Sequence, residues 1–179
     1  GGSSNAAATL EFLNRFGGFI LDRAAMLRLA MTLGSDVPFF LQPGAKVLVG
    51  VGDRLLPYSG MLPSFLVLGS DGAQLATRDV FRVFDSLTRE SRGSTRPGSV
   101  MGLTSPFEVG NDLERAAVLL HPGIDLLKQE MQRLGLGAVR MTGSGSVVFG
   151  IAVDMEEAAR ISGLLRGRGF WSKAVEVLG

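Results

Sequence analysis

The chain has no cysteine, and only one histidine, one tryptophan and one tyrosine in 179 residues. Without thiols there is no disulfide and no thiolate metal site, an absence that suits a cytoplasmic protein. The single histidine, His121, precedes a proline at a helix break. With no second histidine and no carboxylate spaced to work with it, it reads as structural or exposed. Charge of one sign is missing too: 18 basic against 17 acidic residues leave a formal net charge of +1. No overall field draws in nucleic acid or an anionic membrane, and neither is expected as a partner. No apolar run reaches the length of a membrane span, and the first residues lack the basic, apolar, small-residue order of a signal peptide. The expectation is a soluble, cytoplasmic chain.

What is present is apolar residues, 46% of the total, and 25 glycines. That is enough for one large globular domain or two small ones. The chain opens on GGSSNAAATL, where glycines and the first unpaired amides of an alanine-rich helix offer an anion site, with Ser3, Ser4 and Asn5 adding side-chain donors. A serine N-cap on an ordinary helix explains the same residues. The apolar spacing predicts a helix over 6–16 and a second one capped by Asp22 and ended by Gly34. Residues 46–50 and 54–58 read as a β-hairpin turning at Gly52-Asp53, and Pro57, Gly60 and Pro63 mark a boundary, giving domains 1–60 and 61–179. Beyond it come a strand at 65–68, a helix at 77–87 with Val80, Phe81 and Phe84 inward, and a polar loop at 88–106. Helices then start at Asn111 or Asp112 and at Ile124, strands follow at 138–141 and 147–153, a helix at 155–166, and a last strand at 172–178. Strand, helices, two strands, helix, strand is the split βαβ order of a ferredoxin-like sandwich, so the fold class is α+β.

Two places can carry chemistry. Asp36, between a helix end and Val37-Pro38, reads as a carboxylate held in a rigid turn and partly screened from water, suited to accept a hydroxyl proton. An aspartate bonded to nearby amides in a tight turn is the plainer alternative. The second place is MTGSGSVVFG at 141–150, whose amides can approach a phosphate or sugar, or which is a hairpin loop that needs glycine. A valine at Gly145 is expected to damage binding before folding. Five arginines between Arg78 and Arg96 read as a solvated helix face and loop.

In this order, GGSSNAAATL, LGSDVPFFL, NDLE (111–114) and MTGSGSVVFG resemble the motifs of the GHMP kinases, small-molecule kinases that use ATP and Mg2+. The resemblance implies the GHMP kinase fold: the end of an S5-like N-terminal domain followed by a whole ferredoxin-like C-terminal domain. It implies nucleotide binding by Gly1, Gly2, Ser3, Ser4 and Asn5, with Asp36 as catalytic base. It also implies substrate contacts from Thr77, Gly143, Ser144 and Gly145; no metal ligand is assigned. The DVPFF and NDLE segments point to the branch that phosphorylates the 2-hydroxyl of 4-(cytidine 5′-diphospho)-2-C-methyl-D-erythritol in non-mevalonate isoprenoid synthesis. They point away from the members acting on homoserine or mevalonate. A non-catalytic ferredoxin-like binding module that kept the motifs is the remaining alternative. Ser35 replaces the family's alanine, Thr142 replaces its first serine, and Ser70-Asp71-Gly72 stands where a glycine-proline pair is common. The family's N-terminal part, with an active-site lysine and the upstream half of the ATP loop, has no counterpart here. The expectation is therefore a fragment or one half of a split enzyme, inactive until a missing N-terminal segment joins it.

Overall fold

The computed structural model describes residues 2–49, 54–58, 60–90 and 110–177. The chain divides into two compact units, 1–59 and 60–178.

The first unit is a small helical cluster with a hairpin. Helix α1 (Gly2–Phe16) starts four residues before the expected position, because the Gly-Ser run itself takes helical geometry. Helix α2 (Arg23–Leu33) starts where Asp22 accepts the Ala25 N–H at 2.7 Å and stops at Gly34. The DVPFF segment is a helical turn, α3 (Val37–Phe40), with Pro38 in the first turn, where its missing N–H costs nothing. Ala7, Leu10, Met26, Ala30, Val37 and Leu41 form the shared core. Strands β1 (Lys46–Val49) and β2 (Arg54–Pro57) pair antiparallel, with Lys46 opposite Pro57. The proposed turn at Gly52-Asp53 lies outside the described residues.

The second unit has a sheet of β3 (Phe65–Ser70), β4 (Gly137–Met141), β5 (Val148–Ala152) and β6 (Trp171–Glu176) in the order β4-β5-β3-β6, every neighbouring pair antiparallel. That is the strand order of the ferredoxin-like sandwich. On β5, Val148, Gly150 and Ala152 are buried and the residues between them half-buried, the period-2 sign of a sheet covered on one face. The cover comes from α6 (Gly123–Arg133) and α7 (Met155–Gly167), whose Ile124, Leu127, Met131, Ile161 and Leu165 are fully buried in the core with Val67 and Val139. Helix α4 (Thr77–Glu90) follows β3, and α5 (Glu114–Leu120) precedes α6.

Two expectations need correction. Helix α4 runs on to Glu90, so 88–90 are helical and not loop; Arg92, Arg96 and the rest of the proposed loop through residue 106, together with 107–109, lie outside the described residues. Phe81 is 47% exposed, since Val80 takes the position that faces the core and is fully buried. No helix among the described residues is long and apolar enough to cross a membrane.

Candidate active site

In the second unit the turn between β4 and β5 is built by hydrogen bonds from three directions. Within the turn, the Thr142 N–H donates to the Val147 carbonyl (2.9 Å) and the Gly145 N–H to the Thr142 carbonyl (3.1 Å). Gly143 (φ +58°) and Gly145 (φ +89°) take the left-handed conformations that the tight path requires. From α5's side, the Asn111 amide donates to the carbonyls of Met141 (3.0 Å) and Gly143 (2.8 Å) and accepts the Leu113 N–H (3.1 Å). Glu114 accepts the Met141 N–H with one oxygen (3.0 Å) and pairs with Lys128 through the other. From the α4 side, the Thr77 hydroxyl lies 2.9 Å from the Ser144 hydroxyl. The sequence reading named Thr77 and Ser144 from separate motifs, and the fold brings them into contact. Among the described residues no acceptor takes the N–H of Gly143 or of Ser144, so two donors at the open edge of the turn are available to a ligand.

Gly145 differs from its neighbours. A Cβ there would lie 2.8 Å from Met141 Sδ and 3.4 Å from Leu75 Cδ1, so its α-carbon faces packed side chains rather than open space. This geometry gives Gly145 a packing role, so a valine there is expected to cost folding as well as any binding.

The loop leading to α4 is fixed by residues that sequence reasoning passed over. The buried Ser146 hydroxyl donates to the Ala73 carbonyl (2.5 Å) and lies 3.3 Å from the Ser70 hydroxyl, which accepts the Gly72 N–H (3.0 Å). Asp71 accepts the Ala73 N–H (3.1 Å) and pairs with His121 Nε2. The expectation that no carboxylate works with His121 is therefore wrong: the partner is 50 positions away, and tertiary folding supplies it. Burial opposes ionisation of Asp71, but the His121 bond and the Ala73 amide outweigh it and hold the group below its ordinary value of 3.8.

In the first unit, Gly2, Ser3, Ser4 and Asn5 form the first turn of α1. The positive end of the helix dipole lies at this turn and favours negative charge there. Gly1 lies outside the described residues. Asp36 immediately precedes α3, and its carboxylate caps no amide of that helix; its bond is from the Ser35 hydroxyl at 3.4 Å. It is exposed, not partly screened as the sequence suggested, because Val37 and Pro38 take the buried positions after it. One carboxylate oxygen has only the long Ser35 contact, and the other takes no hydrogen bond among the described residues. Gly2–Asn5 and Asp36 belong to one unit, and Thr77, Gly143, Ser144 and Gly145 to the other.

Residues 98–165 match the family described as GHMP kinases C terminal. A 4-diphosphocytidyl-2-C-methyl-D-erythritol kinase of Deinococcus radiodurans is 36% identical over 183 residues, covering 99% of this chain and 61% of the relative. A crystal structure of 4-(cytidine 5′-diphospho)-2C-methyl-D-erythritol kinase matches with TM-score 0.77 and 33% identity, over 100% of this chain and 65% of that one. Homoserine kinase from Cytophaga hutchinsonii matches with TM-score 0.68 at 16% identity, over 98% of this chain and 64% of that one, a likeness of fold alone. The chain thus spans about three-fifths of the length of the curated relatives it matches. The matched segment and the sheet order of the second unit agree: residues 98–165 are similar to the C-terminal domain of the GHMP kinases, and the chain shares the mixed helix-and-sheet fold of the solved kinase.

Proposed function

We propose that this chain supplies part of the active site of a kinase that transfers the γ-phosphoryl group of ATP to the 2-hydroxyl of 4-(cytidine 5′-diphospho)-2-C-methyl-D-erythritol. The observation that carries the reading is the Thr77–Ser144 hydroxyl pair beside the open amides of Gly143 and Ser144. Support for the substrate comes from the relatives, which are named for it and align with nearly the whole chain. In this reading Gly1, Gly2, Ser3, Ser4 and Asn5 hold the nucleotide phosphates through amides and hydroxyls, while Thr77 and the turn at 143–145 orient the alcohol. The hydroxyl oxygen attacks the γ-phosphorus, the bond to the bridging β,γ-oxygen breaks, ADP leaves, and Asp36 accepts the hydroxyl proton. The first turn of α1 fits an anion by its donor set. Among the described residues no group of three or more His, Asp or Glu could hold a metal, so no side chain here is assigned as a ligand to Mg2+. When bound, Mg2+ takes most of its ligands from the phosphates and water, and neutralises charge on the phosphoryl oxygens.

Phosphoryl transfer needs donors on several sides of the phosphates, and α1 supplies one side. The reading therefore includes an N-terminal segment of the kind the family carries. The test is calorimetric titration and ATP consumption with a panel of alcohols, on the chain alone and joined to the N-terminal segment of the Deinococcus relative. Turnover is expected in the joined protein alone, and with the cytidine diphosphate compound rather than homoserine or mevalonate. A joined protein that binds neither nucleotide nor that compound would reduce the chain to a binding module.

A further inference from the structure

We infer that Asp71 and His121 are positioning residues, a clamp that sets the donor edge of the glycine turn through the loop 70–77. The chain of contacts is continuous. Strand β3 ends at Ser70, and the next residue, Asp71, joins His121, which caps the C-terminal end of α5 with its own N–H on the Ala117 carbonyl (2.8 Å). The other Asp71 oxygen fixes the Ala73 N–H, and the Ala73 carbonyl receives the buried Ser146 hydroxyl from the glycine turn. Three residues on, the Ala76 carbonyl accepts the N–H groups of Asp79 and Val80 (2.8 and 3.2 Å) and so starts α4 at Thr77, whose hydroxyl meets Ser144.

The pair is fitted into place. A Cβ at Gly123, the first residue of α6, would collide with the Asp71 carboxylate and lie 2.7 Å from His121 Nε2, so glycine is the residue that leaves them room. With side chains 34% and 19% exposed, His121 and Asp71 are shielded enough for their charge-assisted hydrogen bond to hold a geometry, unlike a surface ion pair. Helix α5 spans seven residues, about 10 Å, and carries an anchor at each end: Glu114 holds the strand side of the turn and His121 the loop that meets its other side. The catalytic meaning of the clamp rests on the reading of that turn as a substrate contact; its mechanics do not.

The test compares His121→Ala with His121→Gln in the isotope-labelled 179-residue chain, followed by amide resonances and hydrogen exchange. His121→Ala is expected to speed exchange of the Ala73 amide by about tenfold, the loss typical of one hydrogen bond to a charged group. It should also move the resonances of Thr77, Gly143 and Ser144, with the strand amides of Val67 and Ala174 unchanged. His121→Gln, which keeps a donor for Asp71, should return them toward their wild-type positions. Two results overturn the clamp: Thr77 and Ser144 stay in place in His121→Ala, or strands and turn lose protection by the same factor, as a merely structural residue would cause. If His121→Ala does not fold, Asp71→Asn takes its place, since it keeps an acceptor for the Ala73 N–H and removes the charge; unmoved Thr77 and Ser144 resonances then overturn the inference equally. None of these signals needs a ligand, so a chain that binds no cytidine diphosphate compound sinks the proposed function alone.

Discussion

Alanine at Gly145 should destabilise the second unit far more than alanine at Gly143, although both glycines lie in one turn and both have positive φ. At Gly143 (φ +58°) a Cβ would meet nothing within 4 Å, so the cost is that of a left-handed alanine, about 1 kcal/mol. At Gly145 (φ +89°) the same backbone term applies, and the Cβ would also press on Met141 Sδ at 2.8 Å. Met141 is only 2% exposed and lies in the main core, so its thioether has no route to solvent and must repack against Leu75 and Ile124. Overpacking of that kind costs about 1–3 kcal/mol, for a total of roughly 2–4. For a unit of this size, 1 kcal/mol moves the melting temperature by about 4 °C, so Gly143→Ala should lower Tm by about 4 °C and Gly145→Ala by about 8–16 °C. The assay is thermal and urea denaturation of the two variants beside the wild type. Equal shifts, or a Gly145→Ala protein that melts normally, would refute the inward packing and restore the view of Gly145 as a ligand-facing position.

Three further outcomes are expected. Asn111→Asp should lower stability by about 1–3 kcal/mol in a urea melt and be at least as damaging as Asn111→Ala, because a carboxylate cannot donate to the Met141 and Gly143 carbonyls and leaves both unpaired. Asp71 has a depressed folded-state pKa, so its contribution is fully present above its ordinary value of 3.8 and is lost as pH falls below that toward the folded value. Acid titrations of wild type and Asp71→Asn should therefore diverge above pH 4 and converge below it, and parallel curves throughout would contradict the shift. In the protein joined to its N-terminal segment, Asp36→Asn should cut kcat by several orders of magnitude and leave nucleotide affinity nearly unchanged; retention of more than about a tenth of kcat would remove Asp36 from the role of base.

Much of the second unit was legible because its signals are local. Alternation in β5, the helical spacing of Ile124, Leu127 and Met131, and the order of elements were enough to give the split βαβ arrangement, and the strand order agreed. Errors fell where a choice depends on partners. Phe81 and Val80 are both apolar, and only packing decides which faces the core. The start of α1 was misjudged because glycine and serine have poor helix propensity, which the burial of Ala7 and Leu10 against α3 overrides. Asp71 and His121, 50 positions apart, had no sequence signal beyond the replacement of the family's usual glycine-proline pair, which marked the loop as unusual without naming its partner.

The NDLE segment shows why a motif can be visible while its work is not. Its match to the family was plain in the sequence, yet neither Asn111 nor Glu114 was read as part of the site. Their job is to consume backbone groups. Asn111 has donors and an acceptor on one side chain, so it can satisfy two carbonyls of the turn and one N–H of its own segment at once. Glu114 takes the Met141 N–H and balances its charge on Lys128. The internal bonds of the turn take the N–H groups of Thr142 and Gly145. Donors spent inward are not available to a ligand, and the N–H groups of Gly143 and Ser144 are among those in the turn that no acceptor takes, with the Ser144 hydroxyl on that of Thr77. A turn held this firmly offers its remaining donors already aimed, and preorganised donors of this kind stabilise developing charge without reorganising when it appears. In the proposed function, the geometry of the donors that meet the ligand is thus set by side chains, Asn111 and Glu114, that do not touch it.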